Sequence, residues 1–211
     1  MAFKDKIILV LAPHTDDGEL GCGGTIARLL DEGAKVYYVA FSTAEQSVPD
    51  GFPRNQLEVE VRIATQKLGI PSEQLIIYKY EVRKLNYVRQ EILENLIALR
   101  TELQPDVIFI PTTRDIHQDH STLAMEAIRA FKTRTIYGYE LIWNNIEFKA
   151  NAFFVLEEKH VQKKIAALQE YKTQAGRDYT NPDFLHSLAR VRGTQIGVQY
   201  AEAFELIRTV L

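Results

Sequence analysis

The stretch His14-Thr15-Asp16-Asp17-Gly18-Glu19 puts one imidazole and three carboxylates within six residues. Carboxylates held this close repel one another. A divalent cation removes that repulsion, because imidazole and carboxylate both ligate zinc. A second polar group follows at Asp115-Ile116-His117-Gln118-Asp119-His120, so three of the five histidines fall in the two groups. Alone, the first group also suits a polar loop whose acids cap a helix, since Asp and Glu favour helix N-termini. Capping does not explain why an apolar run and then a polar cluster occur twice.

Those apolar runs are the elements that must position the polar groups. Ile7-Ile8-Leu9-Val10-Leu11 predicts a buried strand over 6–12, and Val107-Ile108-Phe109-Ile110 another over 106–111. A helix over 25–32, ended by Gly33, and a strand over 35–41 complete a βαβ unit, which requires a parallel sheet. In such α/β sheets ligands bind at the carboxyl edge of the strands. Gly18, Gly21, Gly23 and Gly24 match neither GxGxxG nor GK[ST], so no nucleotide fingerprint is present. They are read as letting the helix start lie close to the metal and the first strand.

The remaining pattern predicts a long loop over 42–54 as a substrate lid, a helix over 55–68, a short strand over 75–78 and a helix over 86–103. Ser121 is expected to cap a helix running to about 131. Strands over 135–143 and 153–156 and an amphipathic helix over 157–171 come next. A loop over 172–183, a helical stretch over 184–191 and a last helical turn or edge strand over 200–207 end the chain.

Composition narrows the class. The 211 residues suit one α/β domain, taken as 1–211, and 46% hydrophobic with 25% charged residues excludes a disordered chain. A net charge of −3 gives no basic excess for nucleic acid. No run reaches membrane-span length, no cleavage site follows the first apolar run, and the expected location is the cytoplasm. Cys22 is the single cysteine, expected as a small buried residue.

A catalytic zinc site needs few protein ligands and one open position for water, whose pKa falls to about 7. His14 and Asp17 share a loop and His120 is the natural third ligand. Asp16, beside a ligand, suits the general base and acid. His117, as imidazolium, suits an oxyanion stabiliser, and Asp119 a carboxylate holding the remote nitrogen of an imidazole. Asp115 and Glu19 are read as solvated or capping carboxylates.

At these residues the chain resembles the LmbE-like, or PIG-L-like, zinc-dependent N-deacetylases. That family carries a His-Pro-Asp-Asp-x-Glu type motif after a strand and a later His-x-Asp-His motif. The resemblance covers most of residues 6–130, including the Gly-rich helix start and Glu60 and Ala64 ahead of Leu68-Gly69. It implies a Rossmann-like three-layer fold with a mostly parallel sheet, and hydrolysis of an acetamido group on an N-acetylglucosamine-type conjugate. It also implies metal ligation by His14, Asp17 and His120, with Asp16 as base and acid and His117 at the oxyanion. Thr15 stands where the family usually has proline, and Asp115 where some members have tyrosine. The tail from Arg192 to Phe204 resembles the branch that deacetylates a glucosamine-malate in bacillithiol synthesis.

Other residues are weaker candidates. Arg54 and Arg62 are candidates for holding an anionic substrate group, weighed against a solvated helix face. Trp143, followed by Asn144 and Asn145, is a candidate sugar platform, weighed against a core tryptophan. His160 is expected at the surface, and His186 is structural by default. Two other functions share this pattern: a metal-dependent phosphoesterase, which would need a second cation, and a non-catalytic sugar-binding protein. Iron can replace zinc in such a site, and the sequence leaves homo-oligomer formation open.

Overall fold

The computed structural model describes residues 3–210. Seven strands form one sheet: β1 (Ile7–Ala12), β2 (Lys35–Ala40), β3 (Leu75–Ile77), β4 (Val107–Pro111), β5 (Thr135–Tyr139), β6 (Ala152–Leu156) and β7 (Tyr200–Arg208). Their order is β3-β2-β1-β4-β5-β7-β6. The first five pair in parallel, and β7 runs antiparallel to both its neighbours. This is the three-layer α/β architecture with a mostly parallel sheet.

Alternation along β1 explains the layers. Ile8, Val10 and Ala12 pack on one face with residues of α1 (Asp17–Asp31), α2 (Gln56–Leu68), α5 (Glu158–Leu168) and α6 (Pro182–Thr194). Leu9 and Leu11 pack on the other with α3 (Arg89–Leu103) and α4 (Gln118–Ala130). All five side chains are fully buried, each contributing on the order of 1–3 kcal/mol of transfer free energy apart from the smaller alanine. Burial on both faces is why β1 reads as an unbroken apolar run.

The strand order sets the site. The chain leaves β1 toward β2 on one side, while β4 lies on the other, so the loops after β1 and β4 diverge at their carboxyl ends. That is the crevice where open α/β sheets bind ligands. The two polar groups of the sequence occupy these two loops.

Several elements differ from expectation. α1 starts at Asp17 rather than Thr25 and is kinked at Cys22 (φ −145°, ψ 23°). At Gly18 and Gly21 the helix lies close against aromatic rings. A Cβ on Gly18 would stand 2.7 Å from the Tyr38 hydroxyl, and one on Gly21 would overlap the Tyr139 ring. Those rings explain Gly18 and Gly21, while Cβ atoms on Gly23 and Gly24 would meet the Lys164 and Leu156 side chains. At the kink, Lys164 donates to the Leu20 carbonyl at 2.7 Å. Glu202 accepts from the Gly24 and Thr25 amides at 3.1 and 2.6 Å. The two side chains pair at 2.6 Å, so each broken helix end receives a charge of the favourable sign.

α4 starts at Gln118, with His117 rather than Ser121 as its N-cap. Ser121 instead donates to the carbonyls of Asp115 and His117. The strand read over 135–143 stops at Tyr139, and the expected loop over 172–183 contains two short 3-10 turns. Residues 200–208 form a strand between β5 and β6, not a helical turn or an edge. Cys22 is buried, as read. His160 is also buried, facing Asp31 at 3.3 Å and completing a capping box at the start of α5. The surface reading of His160 was wrong because its helix packs that face inward against α1.

Candidate metal centre

His14 follows β1, Asp17 opens α1, and His120 is the third residue of α4. The fold brings one atom from each into a triangle. His14 Nδ1 lies 3.1 Å from Asp17 Oδ2, His120 Nε2 lies 3.3 Å from the same oxygen, and the two nitrogens are 3.2 Å apart. Ligands at zinc distances in a tetrahedral shell stand about 3.3 Å from one another. The donor set and its spacing therefore fit a zinc-sized cation.

The outer ring atoms carry the same message. His14 Nε2 donates to Asp119 Oδ2 at 3.0 Å, and His120 Nδ1 donates to Asp115 Oδ2 at 2.8 Å. Each imidazole thus holds its proton on the outside and can turn a lone pair into the triangle. Asp119 also accepts the Arg83 and Leu85 amides at 2.6 and 3.2 Å, which ties the segment before α3 to the site.

Charge at the centre favours a cation. Burial lowers the pKa of His14, but Asp17 and Asp119 outweigh it and hold the group up at about 9. Burial likewise opposes protonation of His120, and Asp17 with Asp115 lifts it to about 10. Burial would raise the Asp17 carboxyl, yet His120 and His14 keep it well below the usual carboxylate range. The pocket prefers positive charge among these three groups.

His117 stands differently. Its ring stacks on His120 at 4.4 Å between centroids, and its Nδ1 accepts the Asp119 amide at 3.2 Å. In the neutral ring Nε2 then carries the proton and is a donor. Burial, then the charges of His120 and His14, lower its pKa to about 4. Nitrogens of His14, His117 and His120 lie within 4.8 Å of one another, so proximity alone admits His117 as a ligand. Its tautomer favours Asp17 as the third donor.

Asp16 is half-buried and makes no side-chain hydrogen bond to another described side chain. Burial, then the neighbouring Asp17 charge, raise its pKa to about 6. It lines a cavity of about 200 Å³ that opens to solvent, together with His14, Asp17, His117, His120 and Trp143. Trp143 is 38% exposed and stacks on Tyr179 at 3.9 Å, forming an aromatic rim.

Two carboxylates read as solvated or capping are neither. Asp115 is 5% exposed, holds His120 and accepts the His117 amide at 2.8 Å. Glu19 is fully buried between Tyr38 and Tyr171, whose hydroxyls also face the Thr15 carbonyl at 2.8 Å each. Burial pushes its pKa up to about 8. A protonated Glu19 can donate to one tyrosine while both tyrosines donate to Thr15, and the set then holds the 14–17 loop from beneath. Among the arginines weighed from sequence, Arg62 pairs with Glu58 at 2.9 Å and neither it nor Arg54 lines the cavity. Sequence reasoning missed Arg83, which does line it.

The family model described as PIG-L, GlcNAc-PI de-N-acetylase, matches residues 9–131, which include the triangle and Asp16, Asp115, His117 and Asp119. The chain belongs to this family. It is 28% identical over 178 residues to the uncharacterized deacetylase YaiS of Escherichia coli, covering 82% of this chain and 94% of that protein. It is 25% identical over 230 residues to the diacetylchitobiose deacetylase of Thermococcus kodakarensis, covering 97% and 85%. Among solved structures, the conserved protein TT1542 of Thermus thermophilus superposes with a TM-score of 0.82 at 29% identity, covering 97% of this chain and 95% of that one.

Proposed function

We propose that this protein is a divalent-metal-dependent hydrolase that removes the acetyl group from an N-acetylglucosamine-type sugar. The observation that carries the proposal is the His14–Asp17–His120 triangle beside a carboxylate, Asp16, that has no side-chain hydrogen-bond partner among the described residues. Family membership and the activity named for the Thermococcus relative support the substrate class.

His14, Asp17 and His120 would hold the cation, zinc or iron. Such an ion supplies Lewis acidity, polarising an amide carbonyl and acidifying water at neutral pH. Asp16 takes the proton from the attacking water and returns it to the departing amine, leaving acetate and a free amino sugar. His117 Nε2–H donates to the carbonyl oxygen as its negative charge develops. Asp115 and Asp119 keep the two ligand imidazoles in the required tautomer. Trp143, at the rim, offers an aromatic face to the sugar.

One group of three candidate donors, His14, His117 and His120, is found among the described residues, and a single group favours one cation over the paired cations of many phosphoesterases. Among the described residues no helix is long and apolar enough to cross a membrane. The test is acetate release from N-acetylglucosamine and its glycosides, with and without chelator, beside phosphate release from phosphoesters. Chelator-sensitive acetate release is expected. Phosphate release without acetate release would overturn the proposal.

A further inference from the structure

Arg83 is an exposed cation on the lining of the catalytic cavity, and among the described residues no carboxylate pairs with it. Its neighbours are otherwise matched: Lys84 pairs with Glu81 at 2.7 Å, and Lys79 and Arg62 both reach Glu58. The Arg83 backbone sits at φ 67°, where glycine carries no steric penalty and an arginine does. Asp119 holds that backbone through the Arg83 amide at 2.6 Å, and the same Oδ2 holds His14 Nε2 at 3.0 Å. The guanidinium therefore projects from a point fixed relative to the metal centre. Residues kept in costly backbone regions cluster where ligands are gripped.

We infer that Arg83 selects amino-sugar conjugates bearing an anionic substituent, a carboxylate or a phosphate, by pairing with it at the cavity mouth. The inference rests on the deacetylase reading above. A guanidinium presents a planar fork of donors that suits both anions. Val82, 7% exposed and also on the lining, places the preceding side chain inward, so the segment meets the ligand with an apolar wall followed by a charge.

The test compares three substrates: the methyl glycoside of N-acetylglucosamine, its carboxymethyl glycoside, and N-acetylglucosamine 1-phosphate. Wild type is expected to favour one or both anionic substrates over the methyl glycoside by about tenfold in kcat/KM, chiefly through KM. Arg83→Gly should erase that preference without lowering the melting temperature, since glycine suits the backbone there. Calorimetry with the deacetylated carboxymethyl glycoside should show about tenfold weaker binding to Arg83→Gly. The carboxylate and phosphate arms report which anion is taken. Equal turnover of all three by wild type, a preference that survives Arg83→Gly, or a uniform loss on all three with a lowered melting temperature each overturns the inference while leaving the deacetylase reading intact. Failure of wild type on all three removes both.

Discussion

Asp16→Asn should lower kcat by a factor of about 100 to 10,000 while the protein keeps its bound cation. The substitution preserves size and a carbonyl oxygen but removes the site that takes up a proton. Asp16 lies outside the triangle, and no other described side chain depends on it for a hydrogen bond, so fold and metal site should stand. Metal analysis after dialysis and the melting temperature check that expectation beside the rate. Turnover within a few-fold of wild type would remove Asp16 from the mechanism. Loss of cation together with activity would instead make it a ligand.

Asp115→Asn should weaken cation binding by about 10- to 100-fold, although Asp115 is not proposed to touch the ion. The Asn oxygen can still accept the His117 amide now bound at 2.8 Å. Its NH2 group would then face His120 Nδ1 and donate to it. That reverses the tautomer and puts the ring proton on Nε2, the atom that enters the triangle. A competitive metal titration with a chromophoric chelator reads the change directly. An unaltered affinity would mean that His120 is oriented by packing alone. Glu147→Gln serves as a control, because that carboxylate is exposed and among the described residues pairs only with Arg114, at 3.5 Å.

The centre of the site was readable because β1 and β4 are buried on both faces and so announce themselves as apolar runs ending in polar clusters. His14, Asp16, Asp17, His117, Asp119 and His120 lie in those clusters, and the fold gathers them. The supports were less readable because a carboxylate's surroundings are set by distant chain. Glu19 is enclosed by Tyr38 and Tyr171, from β2 and the segment after α5, and neither contact has a local signature. Asp115 reads as a solvated or capping carboxylate because its pairing with His120 Nδ1, five residues on, has no signature in the sequence.

Arg83 illustrates the same limit. Nothing in Glu81-Val82-Arg83-Lys84 marks a binding segment, and its importance appears once Asp119 is seen to hold it. Arg62 shows the converse, a cation with plausible spacing that spends its charge on Glu58 one helical turn away. The start of α1 was missed because glycines argue against helix, and the Tyr38 and Tyr139 rings that require Gly18 and Gly21 come from other strands. Placing β7 inside the sheet needed its pairing with both β5 and β6, which periodicity does not encode.

The most direct measurement is a crystal structure of the zinc-loaded protein with anomalous data collected at the zinc edge. One peak is expected, about 2.0–2.1 Å from His14 Nδ1, Asp17 Oδ2 and His120 Nε2, with His117 and Asp16 outside ligand distance. A peak bound by His14, His117 and His120 with Asp17 turned away, two peaks in the cavity, or none at saturating zinc would contradict it.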